Sequence, residues 1–150
     1  MPEFRFYHLE RRGLDQALPR LLEDALAGGV RAVVQTPSIE QVETLNERLW
    51  TYSDDGFLPH GAARDGDAQS QPVFLTDDGE NPNGAKLRVL LPGVDAAPFA
   101  SSAHEQVILL FDGRDEQARA EARRQWSLLK AAGASPSYWR EEGAGWERAR

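Results

Sequence analysis

The sequence contains no cysteine, a single methionine, and no apolar run approaching the roughly 18 residues that a membrane-crossing helix needs. The missing thiols exclude disulfides, thiolate metal sites and cysteine nucleophiles, and they suit a reducing compartment. The start, Met1 to Gly13, is charged and lacks the apolar centre of a secretory signal. The expected location is therefore the cytoplasm, with no membrane partner. Positive charge is also scarce: 17 Lys and Arg stand against 24 Asp and Glu, a net charge of −7 with a pI near 5.0. Wrapping a long phosphate backbone needs clustered cations, so any nucleic-acid role is expected to be local or to pass through a partner.

Several signatures of chemistry are missing as well. No G-x-G-x-x-G follows a strand-like segment, and neither a G-x-x-x-x-G-K-[ST] loop nor a G-x-S-x-G elbow occurs. His8, His60 and His104 are widely separated and lack the i, i+4 pairing of a helical zinc site. The acid pairs Asp54-Asp55 and Asp77-Asp78 lie in turn-forming stretches rich in Gly and read as turn signals. Neither a metal nor a cofactor is expected, and no nucleophile, general base or oxyanion hole can be named.

What is present is one domain's worth of chain: 150 residues, 41% hydrophobic and 27% charged, near globular averages. Phe4 to Leu9 is short and aromatic-rich and predicts a first strand. Leu18, Leu21, Leu22, Ala25 and Leu26 then repeat at helical spacing up to Gly28-Gly29, with Pro19 placed in the first turn. Val30 to Thr36 predicts a buried strand. Ser38 with Gln41 gives a capping pattern before Val42, Leu45 and Leu49 on one helical face. Residues 53–71, rich in Asp, Gly, Ala, Ser and Gln, read as a long surface loop. Pro72 to Thr76 and Leu87 to Leu91 read as the two arms of a hairpin with an elaborated tip. Gln106 to Phe111 predicts another strand, and Arg114 to Ala132 a long helix with Gly133 as its left-handed C-cap. Ser137 to Trp139 is expected as a short edge strand, and residues 141–150 as a frayed tail. The alternation implies a three-layer α/β/α sandwich on a mixed sheet, with one antiparallel pair near the middle.

Two segments rise above this background. On the last helix, Arg119, Arg123, Trp126 and Lys130 follow i, i+4, i+7, i+11 and line one side. Residues 114–132 hold five basic against three acidic side chains, inverting the sign of the whole chain. Such a face suits an acidic peptide with a hydrophobic end, since Arg holds a carboxylate bidentately and an indole gives an apolar wall. On the residues alone the preferred reading is the plainer one, a solvated face with Trp126 turned into the core beside Ala122 and Leu129. The second segment, Leu49-Trp50-Thr51-Tyr52 followed by Gly56-Phe57-Leu58-Pro59-His60, fits either a protein-binding patch or a lid closing the core edge.

Taken in order, Phe6-Tyr7, Leu49-Trp50, Phe57-Leu58-Pro59-His60, Gln71-Pro72-Val73, Asn81-Pro82-Asn83-Gly84-Ala85 and the Arg/Trp helix ending at Ala132-Gly133 resemble the chi subunits of bacterial DNA polymerase III over nearly the whole chain. The resemblance implies a Rossmann-like α/β fold without nucleotide, in a non-catalytic accessory subunit of the clamp-loader complex. It further implies a bridge to single-stranded-DNA-binding protein, made by gripping that protein's acidic, hydrophobically terminated C-terminal tail. Carried over by position, the tail pocket falls on Arg119, Arg123 and Trp126, the last where a tyrosine is usual, with Phe111 as a pocket wall. Lys130 joins on helical spacing alone. A second family interface, for the psi subunit, falls on Trp50, Phe57, Pro59 and His60. Where psi is absent, those residues are left to the core or another partner such as a helicase. A monomer or heterodimer is implied, reaching DNA through partners. The competing readings are a small α/β enzyme or nucleotide-binding domain, suggested only by the strand–helix alternation, and direct single-stranded-DNA recognition, which the acidic pI disfavours.

Overall fold

Eight strands form one twisted sheet because most of them are short apolar runs that must be covered on both faces. A computed structural model describes residues 1–52, 58–143 and 145–150. The elements are β1 (Glu3–Leu9), α1 (Leu14–Ala27), β2 (Ala32–Gln35), α2 (Ile39–Thr51), β3 (His60–Ala62), β4 (Val73–Thr76), β5 (Leu87–Leu90), β6 (Gln106–Asp112), α3 (Glu116–Ala131), β7 (Ser137–Glu142) and β8 (Gly145–Arg148). Their order across the sheet is β3-β4-β2-β5-β6-β1-β7-β8. All neighbouring pairs are parallel except β7 with β8. This is the expected mixed three-layer α/β/α sandwich.

The two faces sort by alternation along the strands. Tyr7 and Leu9 of β1 join Leu18 and Leu22 of α1 and Val42 and Leu49 of α2 in one core. Phe4 and Phe6, one residue out of phase, join Ala122 and Leu129 of α3 and Phe99 in the other. Leu129 is fully buried, so its truncation to Ala would cost about 2–5 kcal/mol.

The helix ends read at Ser38 and Gly133 follow the sequence signals, and Asp115 adds an N-cap that the sequence reading does not single out. The Ser38 hydroxyl accepts the Gln41 N–H (3.3 Å). Asp115 caps α3 by accepting the N–H groups of Gln117 (2.9 Å) and Ala118 (3.4 Å). Gly133 takes φ +89° after α3, as the C-cap reading requires. Pro19 is a correction: α1 begins at Leu14, which puts Pro19 in the second turn and leaves the Asp15 carbonyl without an i+4 amide.

Three larger expectations are overturned. Val73–Thr76 and Leu87–Leu90 are not a hairpin. Both lie parallel to β2, which runs between them. The turn-rich stretch 77–86 is a crossover, carried back over β2 by Asn83, whose side-chain NH2 donates to the carbonyls of Ala32 (3.1 Å) and Gln71 (2.9 Å). Within 53–71, residues 60–62 form edge strand β3, with 3-10 turns at Ala63–Asp65 and Ala68–Ser70. The Asp65 carboxylate secures that segment by accepting the Ala62 N–H and the Asn46 amide, each at 2.9 Å. Finally, β7 is longer than expected and is not the sheet edge. Residues 145–148 of the supposed frayed tail pair with it as β8, with Trp146 stacked on Tyr7 at 4.2 Å between ring centroids.

Candidate functional site

The α3 face expected from helical spacing exists, and the tertiary structure adds an opposite wall to it. A cleft of about 430 Å3 runs between α3 and the β7–β8 hairpin, lined by Arg119, Ala122, Arg123, Trp126 and Ser127 on one side and Tyr138, Arg140, Ala149 and Arg150 on the other. Trp126 is half-buried. Its ring packs on Phe6 (5.3 Å) and edges Tyr138 (6.3 Å), so it serves the core and the cleft floor together. Among the described residues, none of the four cleft arginines has a carboxylate at salt-bridge distance. Arg124, one residue along α3 and facing away, is paired with both Glu121 (2.6 Å) and Asp95 (2.9 Å). Among the described residues, no acidic side chain lines the cleft.

A layer behind the cleft fixes its geometry. The Arg119 guanidinium donates to the Gly113 carbonyl (2.7 Å). The His8 imidazole bonds the Tyr138 hydroxyl and lies so close to Gly113 that a Cβ there would sit 1.9 Å from Nε2. Burial lowers the pKa of His8, against the pull of Glu10 and with a further push from Arg140 and Arg119. Burial raises that of Tyr138, with Arg140, Arg150 and Arg119 drawing it the other way. Phe111 belongs to this layer: it is buried against His8 and Tyr138 and does not line the cleft. Lys130 is outside the lining too, its Nζ 5.9 Å from the Trp126 ring centroid. Sequence reasoning missed Tyr138, Arg140 and Arg150. The i, i+2 spacing of Tyr138 and Arg140 was the available sign that both share one strand face.

The second expected patch is also partly assembled. Trp50 is 54% exposed, so it does not close the core, and its indole lies 4.4 Å from the His60 ring. His60 is buried, its ring nitrogens facing the carbonyls of Leu58 (2.6 Å) and Asn46 (3.0 Å). Pro59 is half-buried beside it, while Phe57 lies outside the described residues. Glu40, Glu43, Glu47 and Asp65 line one hollow with Trp50, and Arg64 is the one basic residue in that lining among the described residues. This acidic patch is at the β3 edge, on the α2 side. The basic cleft lies over β1 and β7, on the α3 side, five to six strand spacings away, or about 24–29 Å along the sheet.

The turn after β1, where dinucleotide-binding folds place a phosphate, is already satisfied from within. One Glu141 carboxylate oxygen accepts the successive N–H groups of Glu10 (2.5 Å), Arg11 (2.6 Å) and Arg12 (3.2 Å). The other accepts Arg12 Nε (2.8 Å). Among the described residues, no group of three or more His, Asp or Glu side chains is placed to hold a metal ion, and no helix is long and apolar enough to cross a membrane.

Fold and surfaces together describe a small Rossmann-like α/β domain whose chemistry lies in two separated patches of opposite charge. The model of the family "DNA polymerase III chi subunit, HolC" matches residues 1–137, and the chain belongs to that family, a family of DNA replication proteins. The chain is also similar to the probable DNA polymerase III subunit chi of Rickettsia prowazekii (strain Madrid E), with 36% identity over 97 residues, 65% of this chain and 59% of that protein.

Proposed function

We propose that the protein is a non-catalytic accessory subunit of the DNA polymerase III clamp-loader complex that bridges the replicase to single-stranded-DNA-binding protein. The basic cleft takes that protein's acidic C-terminal tail. The observation that carries this reading is the group of four arginines without carboxylate partners around Trp126 and Tyr138, in a chain of net charge −7. Like charges gathered without counter-ions favour an anionic ligand, and the aromatic floor gives an apolar terminal residue somewhere dry to sit. The acidic patch around Trp50, Pro59 and His60 takes a second partner with basic and apolar character, a psi-type subunit or a helicase. Its distance from the cleft lets both be held at once, and DNA is reached through these partners.

The test is a fluorescence-anisotropy titration of a labelled tail peptide from the host's single-stranded-DNA-binding protein with the parent, Trp126→Ala and Arg123→Ala. Saturable binding by the parent is expected. Trp126→Ala should lose about 2 kcal/mol or more, roughly 30-fold, and the loss in Arg123→Ala should shrink as salt rises. A folded parent that does not bind, or two variants that bind like the parent, would overturn the reading.

A further inference from the structure

The family match ends at residue 137, yet nearly half the cleft lining comes from residues beyond it. That wall is a built feature. Tyr138 pairs through its backbone with the chain end, its N–H donating to Arg150 O (3.0 Å) and its carbonyl accepting Ala149 N–H (2.7 Å). The far side of the hairpin is fixed by Trp146 stacked on Tyr7 and by Arg5 lying 4.4 Å over Trp139. Alternation along β7 leaves Tyr138 and Arg140 toward α3, with Trp139 and Glu141 turned away. The backbone that carries Arg140 and Arg150 is thus set before any ligand arrives, with both residues lining the cleft opposite Arg119 and Arg123 and across the Trp126–Tyr138 floor.

A ligand with one carboxylate needs one cationic wall. Two walls holding four arginines, with no acidic side chain in the lining among the described residues, favour a ligand that brings anionic groups to both sides of its apolar part. Resting on the peptide-binding reading above, we propose that Arg140 and Arg150 are specificity-determining residues of the cleft. They hold acidic side chains that precede the apolar last residue of the bound peptide, while Arg119 and Arg123 hold its terminal carboxylate. The hairpin therefore selects for an acidic run in the peptide, a preference that α3 alone does not provide.

The experiment uses two labelled peptides with free carboxyl ends, Gly-Ser-Gly-Asp-Asp-Asp-Gly-Phe and the same sequence with Asn for each Asp, titrated into the full chain. The proteins are the parent, the double variant Arg140→Gln/Arg150→Gln, and Arg123→Ala. Neither Arg140 nor Arg150 makes a side-chain hydrogen bond or ion pair among the described residues, so matching melting temperatures are expected for the double variant. The parent should prefer the Asp peptide, and the double variant should lose about fivefold more on the Asp peptide than on the Asn peptide, so that the preference shrinks. Arg123→Ala should weaken both peptides and leave the preference in place. If the double variant keeps the parent's preference while Arg123→Ala weakens binding, the hairpin inference fails and the peptide-binding reading stands. If the folded parent binds neither peptide, both fail.

Discussion

Removing the charge of Glu141 tests how the cleft is held. Its carboxylate, 3% exposed, fixes β7 against the turn after β1 and so sets the register of Tyr138 and Arg140 over the cleft. Burial pushes its pKa up, but the N–H groups of Arg11, Glu10 and Arg12 and the Arg12 side chain outweigh that and hold it down to about 2. Against an ordinary glutamate near 4.5, the difference corresponds to about 3 kcal/mol of folding stability. Because the folded pKa lies below the unfolded one, that contribution is complete above about pH 5 and is lost as pH falls toward 2. Glu141→Gln keeps an acceptor oxygen but not the charge. It should lower stability at pH 7 by about 2–3 kcal/mol, a fall in Tm of about 5–10 °C for a chain this size. Urea denaturation of parent and variant from pH 7 to pH 2.5 measures this: the gap should be widest at neutral pH and narrow steadily below pH 4.5. A further readout is anion rescue. Sulfate should raise the Tm of Glu141→Ala more than that of the parent, since three adjacent N–H groups are then free to bind it. A gap that does not change with pH, or one under about 0.5 kcal/mol, would refute the role given to this carboxylate.

Two other substitutions probe the supporting layer. Gly113→Ala must displace the His8 ring and should cost about 1–3 kcal/mol; measured by thermal melting, the cost should largely vanish in a His8→Ala background, and a cost that persists there would place its cause elsewhere. Arg88 is fully buried, with its pKa lowered by burial to about 10 against the pull of Asp78 and Glu80, and it bonds the Gln35 side chain (2.6 Å) and the carbonyls of Asp78 (2.6 Å) and Glu80 (3.0 Å). Arg88→Met should therefore cost about 3 kcal/mol or more by leaving those acceptors unpaired, and Arg88→Lys should recover less than half of it in the same urea titration, because an ammonium lacks the planar fork.

The failure at β4 and β5 shows where sequence reading reached its limit. Turn-forming residues between two apolar strands are the ordinary sign of a hairpin, and local chemistry holds no record of Asn83 reaching Ala32 and Gln71. The strands did carry a contrary signal at β4: Val73-Phe74-Leu75 is apolar without alternation, which suits an interior parallel strand better than a half-exposed hairpin, whereas Arg88 in Leu87–Leu90 hid the burial of β5. The C-terminal hairpin was misread for a related reason. Residues 141–150 are polar and charged enough to look frayed, and their order comes from contacts far away in sequence, Trp146 with Tyr7 and Glu141 with Glu10 to Arg12.

The sequence by itself determined the alternation of helices and strands, the capping of α2 and α3, the layered α/β class, the family, and the placing of Arg119, Arg123 and Trp126 on one helical face. Each of these is written in spacings of a few residues or in an ordered set of motifs. Only the tertiary structure decided that this face has an opposite wall, that Tyr138, Arg140 and Arg150 stand on it, that Phe111 lies behind it, and that the basic and acidic patches are on opposite sides of the sheet. Those facts depend on which strands become neighbours. That is settled by packing and hydrogen bonds between residues more than a hundred positions apart, such as His8 with Tyr138, and no local pattern encodes it.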